Sequence, residues 1–362
     1  MSVAVATASG ARATAAIAPS GAPYTATVLH RHADFLALEA EWRELHAAAE
    51  RPFTWQRHRW LRLSWEMVWR RPFNRLRIVL IRDRAGQLVM AGAFVLYFYR
   101  LVPTLQLLGS GTPQIDDVLW RPSGDTDAQA TLLLDTLIRH RGGAPMLRIE
   151  RIREDSPLLA AIAARGLRRR VKGKAIVAPH IPLSQHPDFD TYLGGLSQSL
   201  RSDHRRRLRR LAEIPGYRCG HEGGDAAREA LRWSFDTKRE WLERRGERAP
   251  WLVSGHVDRF ATAFLKGTDD VPETWIATMR FGGRMAASTI TFVERDVAIF
   301  WKIAHDPEYA KHSPGRTLTL EEVRRAFDRG LAEFDLGQGT VEWKRRLTSE
   351  QRIVTSQRIW LT

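Results

Sequence analysis

The stretch "HDPEYAKHSPGRTLTLEEVRRAFDRGLAEFDLGQG", His305–Gly339, leaves an aromatic strand, turns a Pro-Gly corner and opens a helix with a glycine and an arginine. The first backbone N–H groups of a helix have no partners inside it, so this layout can build a cradle for an anion. Leu320, Val323 and Phe327 fall on one helical face, Gly330 is placed to stop the helix, and "AEFDLG" reads as the next strand.

Upstream, "TWIATMRFGGRMAASTITFV" reads as a hairpin around Gly282-Gly283, and "VAIFWKIA" as the third strand of a meander. The helical patterns "DAAREALRWSFDTKREWLERR" and "HVDRFATAFLKG" precede it, and "QRIVTSQRIWL" closes the chain as a strand. The first half runs in the same order. Leu38, Trp42 and Leu45 form a helical stripe, and "WQRHRWLRLSWEMVW" reads as a second helix. "LRIVLIRDRAGQLVMAGAFVLYFY" and "TLQLLGS" supply three strands, "DTDAQATLLLDTLIRH" a helix and "PMLRIERI" a further strand. Gly86 and Gly283 match as hairpin glycines, and Gly143 and Gly330 as helix stops. The expected fold is therefore a tandem α/β (α+β) architecture, each half a mixed, mostly antiparallel sheet flanked by helices. Its divisions are an Ala-rich disordered tail over 1–24, a first domain over 25–185 and a second over 186–362.

Composition agrees with two globular domains: 362 residues, 44% apolar and 27% charged. Lone Cys219 excludes an internal disulfide framework and a cysteine zinc site, which makes a reducing cytoplasm the expected setting. Apolar runs such as Leu88–Tyr99 fall short of the roughly 20 residues a membrane-spanning helix needs. The first twenty residues lack the basic start and apolar core of a signal peptide. Fifty-six basic against 41 acidic residues give +15, and only seven of the basic residues are lysine. Such a charge favours anionic partners, or reflects an arginine-rich proteome.

"LSQSLRSDHRRRLRRLAE" concentrates this charge. Leu196, Leu200, His204, Leu208 and Leu211 share one stripe, with six arginines from Arg201 to Arg210 around it. The helix is either a footprint for RNA or an anionic membrane surface, or a solvated face. The chain has no Walker A, dinucleotide-binding Gly-x-Gly-x-x-Gly or Gly-x-Ser-x-Gly elbow, and His30 and His32 lack the company a metal site needs.

The pattern Tyr309, Ser313-Pro314-Gly315, Leu318, Asp335-Leu336-Gly337, Gly339 and Trp343-Lys344 resembles the acetyltransferase domain of CelD-like cellulose-biosynthesis proteins, within the GNAT acyltransferase superfamily. "RPFTWQRHRWLRLSWE" and the arginine-rich segment are similar to that family too, and the related Fem-type aminoacyl transferases share the tandem layout. The resemblance implies acetyl-CoA or another acyl-CoA as donor, no metal, and an amine or hydroxyl acceptor such as a sugar precursor. It also implies residue roles. Pyrophosphate would meet the loop His312, Ser313, Gly315, Arg316 and Thr317, which departs from the usual Arg/Gln-x-x-Gly-x-Gly/Ala by its His312 and Thr317. Tyr309 would serve as acid and His305 as base, with backbone N–H groups near "FWKIA" holding the thioester carbonyl.

Asp335 alternates with Phe334 and Leu336, so its carboxylate points away from their core and needs a partner, for which Lys344 is placed. That pair, with Trp343, either contacts substrate or pins the loop. In the first half "GTPQIDD" lacks a Pro-Gly-Arg helix start, so that half is expected to have lost donor binding. It would instead shape the acceptor cleft, through Trp60, Asp116 and Asp117. Three function classes follow: an acyl-CoA-dependent N- or O-acyltransferase acting on an exopolysaccharide or its precursor, a Fem-like transferase using aminoacyl-tRNA, and a non-catalytic basic binding protein.

Overall fold

The protein is described by a computed structural model covering residues 14–15, 23–110, 115–246, 256–267, 269–339 and 342–361. Most of the expected tail and all of "GTPQ" lie outside the described residues, although Thr14–Ala15 of that tail pairs as a strand with Thr27 and Val28. The first half contains β1 (Thr14–Ala15), β2 (Tyr24–Leu29), α1 (His32–Ala37), α2 (Glu39–Ala48), α3 (His58–Leu63), β3 (Arg75–Asp83) and β4 (Leu88–Tyr99). It continues with β5 (Val102–Leu107), β6 (Leu119–Trp120), α4 (Thr126–Arg139), β7 (Met146–Arg153) and α5 (Pro157–Ala164). The long β8 (Arg169–Pro182) leads into α6 (Phe189–Gly195), α7 (Gln198–Ala212), β9 (Tyr217–His221), α8 (Gly224–Arg244) and α9 (His256–Leu265). The meander β10 (Glu273–Phe281), β11 (Arg284–Glu294) and β12 (Val297–His305) follows, then α10 (Pro314–Asp328), β13 (Glu333–Asp335), α11 (Glu342–Arg345) and β14 (Gln351–Trp360).

The strands form one sheet in the order β1-β2-β3-β4-β5-β7-β14-β8-β13-β12-β11-β10-β9, with β6 beside β4. Its described pairs are antiparallel except β5–β7 and β12–β13, which occupy matching places in the two halves. This is the expected mixed, mostly antiparallel architecture, flanked by helices. The last strand, β14, returns to lie between β7 and β8, so the end of the chain completes the sheet of the first half.

Local chemistry explains the punctuation. Gly282 and Gly283 both take positive φ, and Phe281 pairs with Arg284, which makes the two-residue turn a right-twisted hairpin prefers. Pro314 opens α10, where its missing N–H is no loss. Gly330 at φ +65° closes it, with Gly330 N–H donating to Phe327 O and Leu331 N–H to Ala326 O. The stripe Leu38–Trp42–Leu45 is buried, although the helix breaks at Leu38 into α1 and α2.

The halves share a core. Phe53, Trp55, Trp60 and Ile115 pack with Phe235, Phe260, Phe264 and Phe292 from the second half. A buried charge cluster crosses the same seam: Arg57 donates to Glu294 at 2.7 and 2.8 Å and to Asp270 at 3.1 Å, while Thr54 Oγ1 donates to Glu294 at 2.8 Å.

Candidate active site

Strands β12 and β13 pair only from Val297–Glu333 to Ile299–Asp335. Beyond that point β12 continues to His305, whereas the chain after Asp335 peels away along β8, with Leu336 N–H donating to Pro179 O and Gly339 N–H to Val177 O. A V-shaped gap opens between them. Gly337 makes the departure possible: it sits at φ +69°, and a Cβ there would lie 3.0 Å from Phe300 O. Gly337→Ala is expected to destabilise the fold by about 1–2 kcal/mol in urea denaturation, since both the conformation and the space exclude a side chain.

Two adjoining cavities occupy the gap and share Ile303. The inner one, about 230 Å³, is lined by Trp55, Ile115, Trp301, Lys302, Gln338 and Lys344 among others. The outer one, about 310 Å³, is lined by Ile303, His305, Ala310, Ser313, Pro314, Gly315, Arg316 and Trp343. Thus the Pro-Gly corner of α10 forms a wall of the outer cavity. Ser313 takes the left-handed region (φ 47°, ψ 50°) and no side chain caps the helix, which leaves the N–H groups of its first turn aimed outward. Gly315 is needed for close approach: its Cβ would come 2.8 Å from Ile303 Cδ1.

Arg316 stands at this mouth but is ion-paired with Asp203 of α7. Asp203 also holds Arg206 and Arg207, each at 2.9 Å. Burial would raise the Asp203 pKa, but hydrogen bonds from Arg207 and Arg206 and the charge of Arg316 outweigh it and hold the carboxyl at about 2. The arginine helix therefore anchors a cation beside the helix N-terminus, a role its composition alone did not reveal. Of the expected stripe Leu200, His204 and Leu211 are buried, Leu208 is half-buried and Leu196 precedes the helix.

Other sequence candidates lie elsewhere. Thr317 is buried, and its hydroxyl turns back to Ser313 O at 3.3 Å, so it does not line the cavity. The His312 ring packs 5.3 Å from Phe281. Tyr309 stacks on the same ring at 5.0 Å and does not line either cavity. Trp60 is core, edge-on to Phe260, Phe264 and Trp301, and supports the cleft only through Trp301. Asp116 and Asp117 are buried structural carboxyls; Ser110 donates to the first, while Ser156 and Val118 N–H donate to the second at 2.7 and 2.8 Å. Burial pushes both up to about 7.

The expected Asp335–Lys344 ion pair is not made. Asp335 is buried and accepts from Gly337 N–H at 2.7 Å, while Lys344 Nζ donates to Gln338 O at 2.8 Å and Gly337 O at 3.4 Å. Both therefore brace the loop that forms one arm of the gap. Burial pulls Lys344 down to about 8, against the opposing charge of Asp335.

The sequence reading missed Lys302. In the β11–β12 ladder Ile290 pairs with Lys302 and Thr291 with Phe300, so Trp301 is a bulge. The extra residue puts Trp301 and Lys302 on the same side: Trp301 is 6.0 Å from the Phe235 ring, and Lys302 Nζ lies 4.0 Å over it. Burial pulls the amine down to about 7, helped by the charges of Lys238 and Arg239 and opposed by Asp258. The available signal was a lysine interrupting an otherwise apolar strand. His305 is at the exposed rim of the outer cavity; burial and Lys238 lower its pKa.

In the first half only a small cavity remains near the end of β5. Trp55 donates to Ile115 O, and Gln56 Nε2 donates to Asp117 O and Val118 O at 3.2 and 2.9 Å, leaving about 20 Å³. Trp55 lines this cavity and the inner one, so the first half walls the cavity of the second. Among the described residues no cluster of three or more metal-binding side chains occurs, and no helix is long and apolar enough to cross a membrane.

Residues 198–345 match the family model of the acetyltransferase (GNAT) domain. This GNAT match contains α7, the bulged β12, the α10 N-terminus and the braced loop. The whole chain is similar in fold to FemX, at 10% identity and a TM-score of 0.62, covering 88% of this chain and 95% of that one. It is also similar to a conserved protein of unknown function from Bacteroides thetaiotaomicron, at 10% identity and a TM-score of 0.57, covering 92% and 99%. A third likeness is to the C-terminal domain of a putative lysylphosphatidylglycerol synthetase from Agrobacterium fabrum, at 11% identity and a TM-score of 0.53, covering 91% and 92%. No curated protein matches in sequence.

Proposed function

We propose that the second half transfers an acyl group from an acyl-CoA to an amine or hydroxyl acceptor, with a polysaccharide precursor as the acceptor class implied by the CelD-like pattern. The observation that carries this reading is the gap between β12 and β13, with the uncapped start of α10 at its outer end and the Trp301 bulge at its inner end. The outer cavity would take the pyrophosphate on the first-turn N–H groups beside Arg316. The thioester would lie along the gap toward the bulge, where the ladder is interrupted. Lys302 would accept the acceptor's proton as its nucleophile attacks the carbonyl; collapse of the tetrahedral adduct would break the C–S bond, and the Lys302 ammonium would return that proton to the departing thiolate. Residues 25–185 would form the acceptor-side domain, with Trp55 and Ile115 lining the inner cavity.

Calorimetric titration of acetyl-CoA in moderate salt tests the donor. Saturable binding is expected, and Gly315→Trp, which fills the outer cavity, should abolish it; because even a Cβ there presses on Ile303, Arg316→Gln, expected to weaken binding with less strain on the fold, serves as the companion variant. Absence of binding to the wild-type chain would refute the reading.

A second reading takes an aminoacyl group from tRNA, as the Fem-type resemblance implies. One feature favours it: Arg205, Arg206, Arg209 and Arg210 are exposed on the helix whose Asp203 holds Arg316 at the donor mouth. Charged tRNA would then protect the chain from heat where coenzyme A does not.

A further inference from the structure

Among the described residues six large apolar side chains are exposed, and four of them belong to one corner of the first half. Leu101 is 91% exposed, Phe73 73%, Phe98 55% and Val102 40%. Sheet register and packing bring them together. Tyr99 pairs with Val102, so Arg100 and Leu101 are the two-residue tip of the β4–β5 hairpin. Arg75 pairs with Leu96, which sets the turn before β3, with Phe73, beside the end of β4. The Trp69 ring, 5.2 Å from Tyr97, ties that turn to the hairpin.

Both tip residues take the left-handed region, φ 50° and 66°, which glycine and asparagine adopt with little strain. The hairpin instead carries an arginine and a leucine, and the leucine is the most exposed large apolar side chain described.

The surroundings are basic. Arg70, Arg71, Arg75 and Arg100 are exposed in these same turns. The end of α4, with Arg139 and Arg141, packs close by, since a Cβ on Gly142 would come 2.9 Å from Leu96. Carboxylates are scarce: Asp83 is the only acidic residue between Glu66 and Asp116, and it lies at the far end of β3. None occurs between Asp135 and Glu150.

An aromatic and aliphatic tip ringed by arginines, with Glu150 near its base already paired with Arg148, matches the boundary of an anionic bilayer: apolar side chains enter between headgroups while guanidinium groups meet lipid phosphates. We propose that this corner docks the protein peripherally on an anionic membrane surface, through Phe73, Phe98 and Leu101. The surface is separate from the arginine helix α7 and from the cavities of the second half, so it stands independently of the transfer reaction.

The test is co-sedimentation of the full chain with vesicles of phosphatidylcholine and phosphatidylglycerol at three to one, against phosphatidylcholine alone. Wild type is expected to partition at least about tenfold more strongly onto the anionic vesicles. The triple variant Phe73→Ser, Phe98→Ser, Leu101→Asn should lose about tenfold or more of that binding at an unchanged melting temperature, because asparagine suits the turn. If that variant fails to fold, Arg70→Gln with Arg71→Gln and Arg100→Gln should show the same loss. The proposal is overturned if wild type shows no preference for anionic vesicles, or if folded variants bind as wild type does, which would assign binding to α7. It is also overturned if light scattering shows a dimer that the variants dissociate, since the corner would then bind a second copy.

Discussion

Arg57→Ala is expected to cost about 3–5 kcal/mol of stability, measured by urea denaturation, because it strands Glu294 and Asp270 in the seam between the halves. The two carboxylate side chains are 2% and 3% exposed, so water cannot replace the guanidinium. Arg57→Lys keeps the charge but not the forked contact to Glu294, and should fall between alanine and wild type. The alanine variant should also change how the halves unfold. Wild type is expected to unfold in one transition and the variant in two, or in one broadened transition. A loss below about 1 kcal/mol would mean that the cluster behaves as a screened surface pair.

Lys302→Met should lower kcat/KM about 10²–10⁴-fold, the usual range for removing a general base. The pH profile carries the diagnosis. A base held at about 7 is protonated below that value, so wild-type kcat/KM should rise with pH toward 7 and level off above it. The methionine variant should lack that rise. Stability rises with pH too, over a higher window. The amine loses its proton at about 7 in the folded chain and at about 10.5 when unfolded, so the unfolded state binds more protons in between. Its contribution to stability therefore improves as pH rises through that window, and at neutral pH methionine should be no less stable than lysine. A variant that is both slower and markedly less stable would point to packing against Phe235 as the role of Lys302. Retention of wild-type rate would remove it from the reaction.

The parts of the fold that were legible in the sequence are those fixed by local chemistry. Gly282-Gly283 specifies its hairpin, Pro314 and Gly330 bound α10, and the Leu38–Trp42–Leu45 stripe marks a buried face. What was not legible depends on pairing between distant residues. Nothing local in "QRIVTSQRIWL" says that it inserts between β7 and β8. Likewise, spacing could place Gly315 and Arg316 at a helix start but could not show that Asp203, more than a hundred residues earlier, holds the arginine. Asp335 and Lys344 were rightly drawn to the same loop. The contact that forms is between each side chain and the loop's backbone, because Gly337 turns its own N–H and C=O toward them. Lys302 went unnoticed because a bulge changes the alternation on which face assignments rest.

The return of β14 to the first half also constrains the order in which the molecule can be made. On the ribosome β7 and β8 emerge early, yet the strand that belongs between them is residues 351–360. At about 5–20 residues per second that strand follows β8 by on the order of ten to forty seconds. Throughout that interval the nascent first half carries two unsatisfied strand edges, open to mispairing or to a chaperone. The portion synthesised first is thus the portion completed last, and stop codons shortly before Gln351 should damage the amino-terminal half more than the half in which they fall.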